Sequence, residues 1–340
     1  MEDKNIYRKW YLNENIEIRN FIHWEIFKDS GAKRHTSDFI LAGKEITLIH
    51  RFYPIGKFYY MRNQLIKRFE NEKEPSFHVF RSHTRIKFVG DDEKPIELKK
   101  EWKDNMFGFD LIFDIDNKHF KKWWNKEGSL NHPDILKVVA EGLPEVYSET
   151  KIIKKFLDTY SIPYILNFSG TGFRICIEWD DIKDYFTLQD YGTITTQFIE
   201  WVLNKSNPKK EGGNNYKSFG EIQTGFALTR VLFSIHPLSK LICFPLNGNE
   251  FENFNLDMVN PENRLKSIKI VKSSNSLNKK RDGSFKRIFE DFKKDVKIDE
   301  LHQQKQAEIK TIKNNEIKSK IFELYKQLPE DERKVLIEEL

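Results

Sequence analysis

The run Leu111-Ile112-Phe113-Asp114-Ile115-Asp116 most narrows what this chain can fold into. Alternation of apolar and acidic residues is the pattern of a strand, because consecutive strand side chains leave opposite faces. Leu111, Phe113 and Ile115 then enter a core, while Asp114 and Asp116 leave the other face, about 6.6–6.8 Å apart along the strand. Two carboxylates so placed converge on one small volume. Divalent ions such as Mg²⁺ take oxygen ligands, and phosphoryl transfer uses two of them roughly 3.5–4 Å apart. Taken alone, D-x-D is equally the acidic face of an edge strand.

The surrounding pattern is mixed α/β (α+β). Strand-like FHVF and RIKFVG precede the acidic run, which reads as one long strand, FGFDLIFDID. Helical segments follow around Asp134–Glu141 and Glu149–Tyr160, then a strand at Pro163–Phe168, a turn at Ser169–Gly172 and a second strand, FRICIEW. A helix over Leu188–Leu203 leads to a Gly/Asn/Lys loop, and Leu228–Leu246 reads as two apolar strands around a His-Pro turn. The first seventy residues read as helical stretches, with Phe58–Phe69 forming one amphipathic face. Helical spacing recurs at Ile317, Ile321, Leu324 and Leu328, and is still running at Leu340, as expected of a piece of a longer chain.

Composition excludes several classes. With 340 residues, 39% hydrophobic and 28 Phe, the chain can bury a large core, and wholesale disorder is excluded. No apolar stretch reaches the roughly 20 residues of a membrane span. The start, MEDKNIYRKW, lacks a secretory apolar run, so a cytoplasmic protein with no membrane partner is expected. Its two cysteines, Cys176 and Cys243, sit in apolar runs and cannot form a four-cysteine zinc site, so no zinc is expected. The net charge of +5 is concentrated: residues 261–340 hold 20 Lys/Arg against 15 Asp/Glu. Nine of those basic residues lie between Arg264 and Arg287, with Asp282 the one acid among them, in Ser/Asn-rich surroundings. This is the composition of a basic linker, either a solvated tether or a contact for backbone phosphates.

Two further motifs carry polar chemistry. Ser169-Gly170-Thr171-Gly172 joins two apolar strands by small residues, through which a phosphate can approach backbone N–H groups and hydroxyls, and Arg174 beside it can clamp a triphosphate. Alternatively it is an ordinary hairpin turn. In Thr229-Arg230-Val231-Leu232-Phe233-Ser234-Ile235-His236-Pro237, followed by Lys240, strand alternation places Arg230, Ser234 and His236 on one face, able to bind phosphate. The alternative is a structural His before a Pro turn. A Ser/His hydrolase is disfavoured, because no G-x-S-x-G elbow occurs.

In this order, FDID on a strand, then a serine-glycine hairpin, then FSIHP resemble the catalytic small subunit of the archaeo-eukaryotic primases and their primase-polymerase relatives, over residues 75–250. The resemblance implies a primase core with an RRM-like metal-binding sheet flanked by helices. It implies DNA primase or primase-polymerase activity: template-directed transfer of NTPs or dNTPs on single-stranded DNA, with two Mg²⁺ or Mn²⁺ ions. Asp114 and Asp116 would hold the ions. Glu221 stands nearest the position of a third carboxylate, where Asp is usual. Ser169, Gly170, Thr171, Gly172, Arg174, Arg230, Ser234, His236 and Lys240 would face the nucleotide. Arg174 stands where the family has His, and Leu238 where a Lys-Thr-Gly begins, with Lys240 as a substitute; the family's zinc cysteines are absent.

The expected organisation is a catalytic domain over 1–260, a basic linker over 261–287 and a helical accessory region over 288–340. Arg264, Lys266, Lys279, Lys280 and Arg281 are the candidate template contacts in the linker. The resemblance also implies partners, either a large primase subunit or a following helicase region. Two competing readings keep parts of the pattern: a single-stranded nucleic-acid-binding module without catalysis, and a metal-dependent nuclease.

Overall fold

Residues 10, 33–42, 45–50, 78–86, 106–127, 135–207, 228–230, 232–236, 238–266 and 285–296 are described in this computed structural model of the chain. Contacts divide the chain into two units, residues 1–288 and 289–340, and every described strand belongs to the first.

The first sheet contains β1 (Lys33–Ala42), β2 (Glu45–His50), β3 (His78–Ile86), β4 (Met106–Phe109) and β8 (Leu228–Arg230). Its order is β2-β1-β3-β4, all antiparallel. β8 pairs with β3 at Phe80–Ser82, while β4 takes Thr84–Ile86. Residues 33–42 and 45–50 are therefore strands, against the helical reading; their three Ile, two Thr and Phe39 favour extended backbone once a neighbour pairs with it. Phe58–Phe69 and the repeat at 317–328 lie outside the described residues.

The second sheet holds β5 (Leu111–Ile115), β6 (Ile165–Phe168), β7 (Phe173–Ile177) and β9 (Phe244–Leu246), antiparallel in the order β5-β7-β6-β9. The run FGFDLIFDID is not one strand. It breaks at Asp110, with β4 in one sheet and β5 in the other. Asp110 is buried there, and its Oδ1 accepts the Trp179 N–H at 3.1 Å.

Helices α1 (Lys118–Glu127) and α2 (Ile135–Thr159) connect β5 to β6; α3 (Trp179–Ile182) and α4 (Ile194–Ser206) lie between β7 and β8. Then come α5 (Gly248–Glu252), α6 (Pro261–Lys266) and α7 (Phe285–Val296). The two helices expected over 134–160 are one, α2, running through Pro144. A proline inside a helix costs about 3 kcal/mol. Burial of Val139, Gly142, Val146, Ile153 and Leu157 along one face outweighs that. The helix expected from Leu188 starts as a short 3₁₀ turn, Leu188–Asp190, and turns α-helical only at Ile194.

α2 packs on β5 and β7, so the fold is mixed α/β, with Phe113, Ile115, Phe173 and Ile175 fully buried. Phe168, Phe173, Phe251 and Phe254 form an aromatic cluster with centroids 5.0–5.6 Å apart. Phe285 packs against Tyr185, Phe186 and Phe198. In the second unit, the described residues are the end of α7, where the Phe289 and Phe292 rings stand 6.1 Å apart. The stretch expected as a linker begins as α6 and ends as α7; between Lys266 and Phe285 it lies outside the described residues. No helix among the described residues is long and apolar enough to cross a membrane.

Candidate active site

β5, β7 and β6 bring three polar residues into one cross-strand row. Asp114 stands opposite Arg174, and Arg174 opposite Asn167. All three are buried. The Arg174 guanidinium donates from Nε to Asp114 Oδ1 at 3.2 Å and from Nη2 to Oδ2 at 3.3 Å, a two-pronged ion pair. Burial works against the Arg174 charge, but Asp114 holds its pKa above the ordinary value. Arg174 is thus engaged by a carboxylate rather than standing open as a clamp. Asn167 Nδ2 reaches the buried Cys243 Sγ at 3.4 Å.

Asp116 follows the last residue of β5 and is only partly buried. Burial first, and the Asp114 charge second, push its carboxyl up to about 6; Arg174, Lys121 and Lys118 pull the other way. The two carboxylates therefore do sense each other across a small volume. Arg174 neutralises one of them. Asn117 fixes the next step: its Oδ1 accepts the Phe120 N–H at 3.0 Å and its Nδ2 donates to Val139 O at 2.9 Å, which caps α1 and ties it to α2. A Cβ at Gly142 would come 2.0 Å from Asn117 Oδ1, so the glycine makes room for this anchor.

The three sequence motifs meet at two glycines. Ser169 N donates to Gly172 O at 2.8 Å, closing the tight connection between β6 and β7, with Gly170 at φ 106°, a backbone angle that favours glycine. A Cβ on Gly170 would lie 2.4 Å from His236 Cβ, and one on Gly172 would lie 2.1 Å from Ile115 O. The turn is thus wedged between the end of the acidic strand and the histidine segment. Ser239 Oγ donates to Gly170 O at 2.6 Å and locks the contact. Ser169 Oγ accepts the Gly172 N–H at 3.3 Å, which leaves the hydroxyl hydrogen to donate.

Alternation across Thr229–Pro237 is broken. β8 ends at Arg230, and Phe233 takes φ 64°, unusual for a non-glycine residue. An isolated bridge pairs Ile235 with Ile242, backbone bonds link Phe233 and Ser234 to Cys243, and β8 and β9 at the two ends of Leu228–Leu246 belong to different sheets. Ser234 is wholly buried, and His236 is buried as well. Arg230 lies at the seam, where its carbonyl receives Cys243 Sγ at 3.9 Å. His236 is oriented by its own turn: Nδ1 accepts the N–H groups of Leu238 and Ser239 at 3.2 and 3.1 Å, so the ring proton sits on Nε2. Its ring stands edge-on to Phe120 of α1 at 5.9 Å. Lys240 closes that turn with φ 59° and its N–H on His236 O.

Glu221, Lys279, Lys280 and Arg281 lie outside the described residues, and of Lys266 only the backbone is described. Arg264 is spent on the fold: its guanidinium stacks 4.2 Å from the Phe244 ring centroid, and its Nε donates to Met258 O. Thr171 is partly exposed at the tip of the turn. Among the described residues no cluster of three or more His, Cys, Asp or Glu forms a metal site. Asn117, Asn167 and Ser239 were not singled out in the sequence. Asn117 has a signal, an asparagine between a strand and a helix, whereas Ser239 has none.

No family model matches the chain, and no curated protein matches it. Among solved structures, the polymerase domain from Mycobacterium tuberculosis Ligase D in complex with DNA is similar, with TM-score 0.42 and 11% identity, over 75% of this chain and 85% of that one.

Proposed function

We propose that this chain is a nucleotidyltransferase of the primase-polymerase kind, joining NTPs or dNTPs on a single-stranded DNA template. The observation that carries the reading is the wedge of Gly170 and Gly172 between Ile115 and His236, which gathers the acidic strand, the small-residue turn and the imidazole into one site. Three motifs that are each unremarkable in a sequence have little structural reason to share a volume.

The carboxylate pair fits a hard divalent cation. Asp116 carries a charge that burial and Asp114 disfavour, and the Arg174 hydrogen bonds go to Asp114. Asp114 and Asp116 would hold Mg²⁺ or Mn²⁺, with Glu221 the candidate for a third ligand. Bound there, such ions lower the pKa of an attacking hydroxyl and neutralise charge on a leaving pyrophosphate. The protein's own groups bind and orient. Ser169 and the turn's backbone present donors to phosphate oxygens, and His236, its Nδ1 already used, offers Nε2–H. Arg174 holds Asp114 in place through its two hydrogen bonds.

The test is incorporation of labelled NTPs and dNTPs on single-stranded DNA, with and without primer, in Mg²⁺ and Mn²⁺. Asp116→Asn is the control, since Asp114→Ala strands Arg174. Template-dependent products that vanish in Asp116→Asn are expected; products that persist refute the metal assignment. A nuclease would degrade the DNA and need no nucleotide, whereas a binding module would do neither.

A further inference from the structure

We infer that the cationic face of α1, made by Lys118, Lys121 and Lys122, holds the phosphate backbone of the nucleic-acid strand that enters the site; this rests on the proposed function and adds a strand-binding element to it. These residues stand at i, i+3 and i+4 and so share one face of the helix. Lys121 and Lys122 are exposed and Lys118 is partly so. The opposite side is anchored, since Phe120 is buried and meets the His236 ring.

Three observations point outward from that face. The helix starts two residues after Asp116, whose carboxyl senses both Lys118 and Lys121, so the cations border the carboxylate pair. None of the three lysines forms an ion pair among the described residues, whereas Lys151, Lys154 and Lys183 pair with Glu252, Asp158 and Asp180. The helix also has no acidic residue in its first turn, where the backbone dipole favours acids and disfavours lysine. Exposed cations without an ion pair among the described residues, one of them in the first turn where the dipole disfavours it, are what a polyanionic ligand repays. Exposed lysines suit a solvated, multi-phosphate backbone. The nucleotide's own phosphates are the other source of the same chemistry, and there the buried turn and His236 already supply donors.

The experiment measures binding of a fluorescein-labelled single-stranded DNA 20-mer to the full chain by anisotropy, without divalent metal, from low to moderate salt. The variant is Lys118→Gln/Lys121→Gln/Lys122→Gln. Each backbone contact contributes about 0.7 to the slope of log affinity against log salt, so losing three should flatten it by about 2 and weaken binding most at low salt. An unchanged slope and affinity overturn the inference, as does a variant that binds DNA normally but loses affinity for nucleotide alone. The readout is independent of catalysis: a lysine-dependent slope in a chain that incorporates nothing would sink the proposed function and leave this binding face standing. A second variant, Lys151→Gln, controls for general loss of positive charge and should leave the slope unchanged.

Discussion

Replacing the two aspartates one at a time should move stability in opposite directions. Asp116 carries a pKa pushed up to about 6 from 3.8. The folded state therefore binds this proton more tightly than the unfolded chain, so stability falls as pH rises from about 4 through 6 and stays reduced above. Two pH units correspond to about 3 kcal/mol, and partial exposure reduces this to about 1–3 kcal/mol. Asp116→Asn should recover that amount at pH 8, raising Tm by roughly 2–10 °C, and change little at pH 4.5. Asp114→Asn does the reverse: it leaves the Arg174 guanidinium buried without its carboxylate. Breaking a buried pair from one side costs about 3–5 kcal/mol, which lowers Tm by roughly 6–20 °C. Thermal unfolding of both variants in EDTA at the two pH values decides it. If Asp116→Asn is destabilised at pH 8, or both variants shift the same way, the account of a compensated and an uncompensated carboxylate is wrong.

Mn²⁺ or Mg²⁺ should raise the Tm of the unaltered chain at pH 8 and leave Asp116→Asn unmoved, because the cation relieves a repulsion the variant lacks; a metal response retained in Asp116→Asn removes this residue from the site. Gly170→Ala should cost about 2 kcal/mol or more and sharply weaken nucleotide binding, since the new Cβ meets His236 at a backbone angle that suits glycine. Urea unfolding and nucleotide titration of that variant check it, and a near-neutral result would mean that the turn and the imidazole are not in contact.

Local pattern revealed the strands of the second sheet better than anything else. FDI, ILNF and FRICI form β5, β6 and β7 because their alternation and β-branched content agree with their pairing. The pairing of Asp114 with Arg174 was not visible, because register is a property of two strands and neither sequence states which residues face each other. Arg230 could not be aligned with Ser234 and His236 by counting, because Phe233 between them takes a positive φ, and parity counted through it fails. β1 and β2 were read as helices because their apolar spacing is ambiguous until a partner strand supplies hydrogen bonds. Asp110 separates two strands and Asp114 lies in the second, a break that no residue in FGFDLIFDID announces.

Trp10 is almost fully buried, and its indole Nε1 donates to the carbonyl of Phe233 at 2.7 Å, 223 residues away in sequence. Phe233 is the residue with a positive φ three positions before His236. The backbone just before the imidazole segment is therefore held by a side chain 223 positions away in sequence. That makes the hold on this segment a non-local contact, of the kind that is costly to close during folding, so a change at Trp10 is felt at a turn remote from it in sequence.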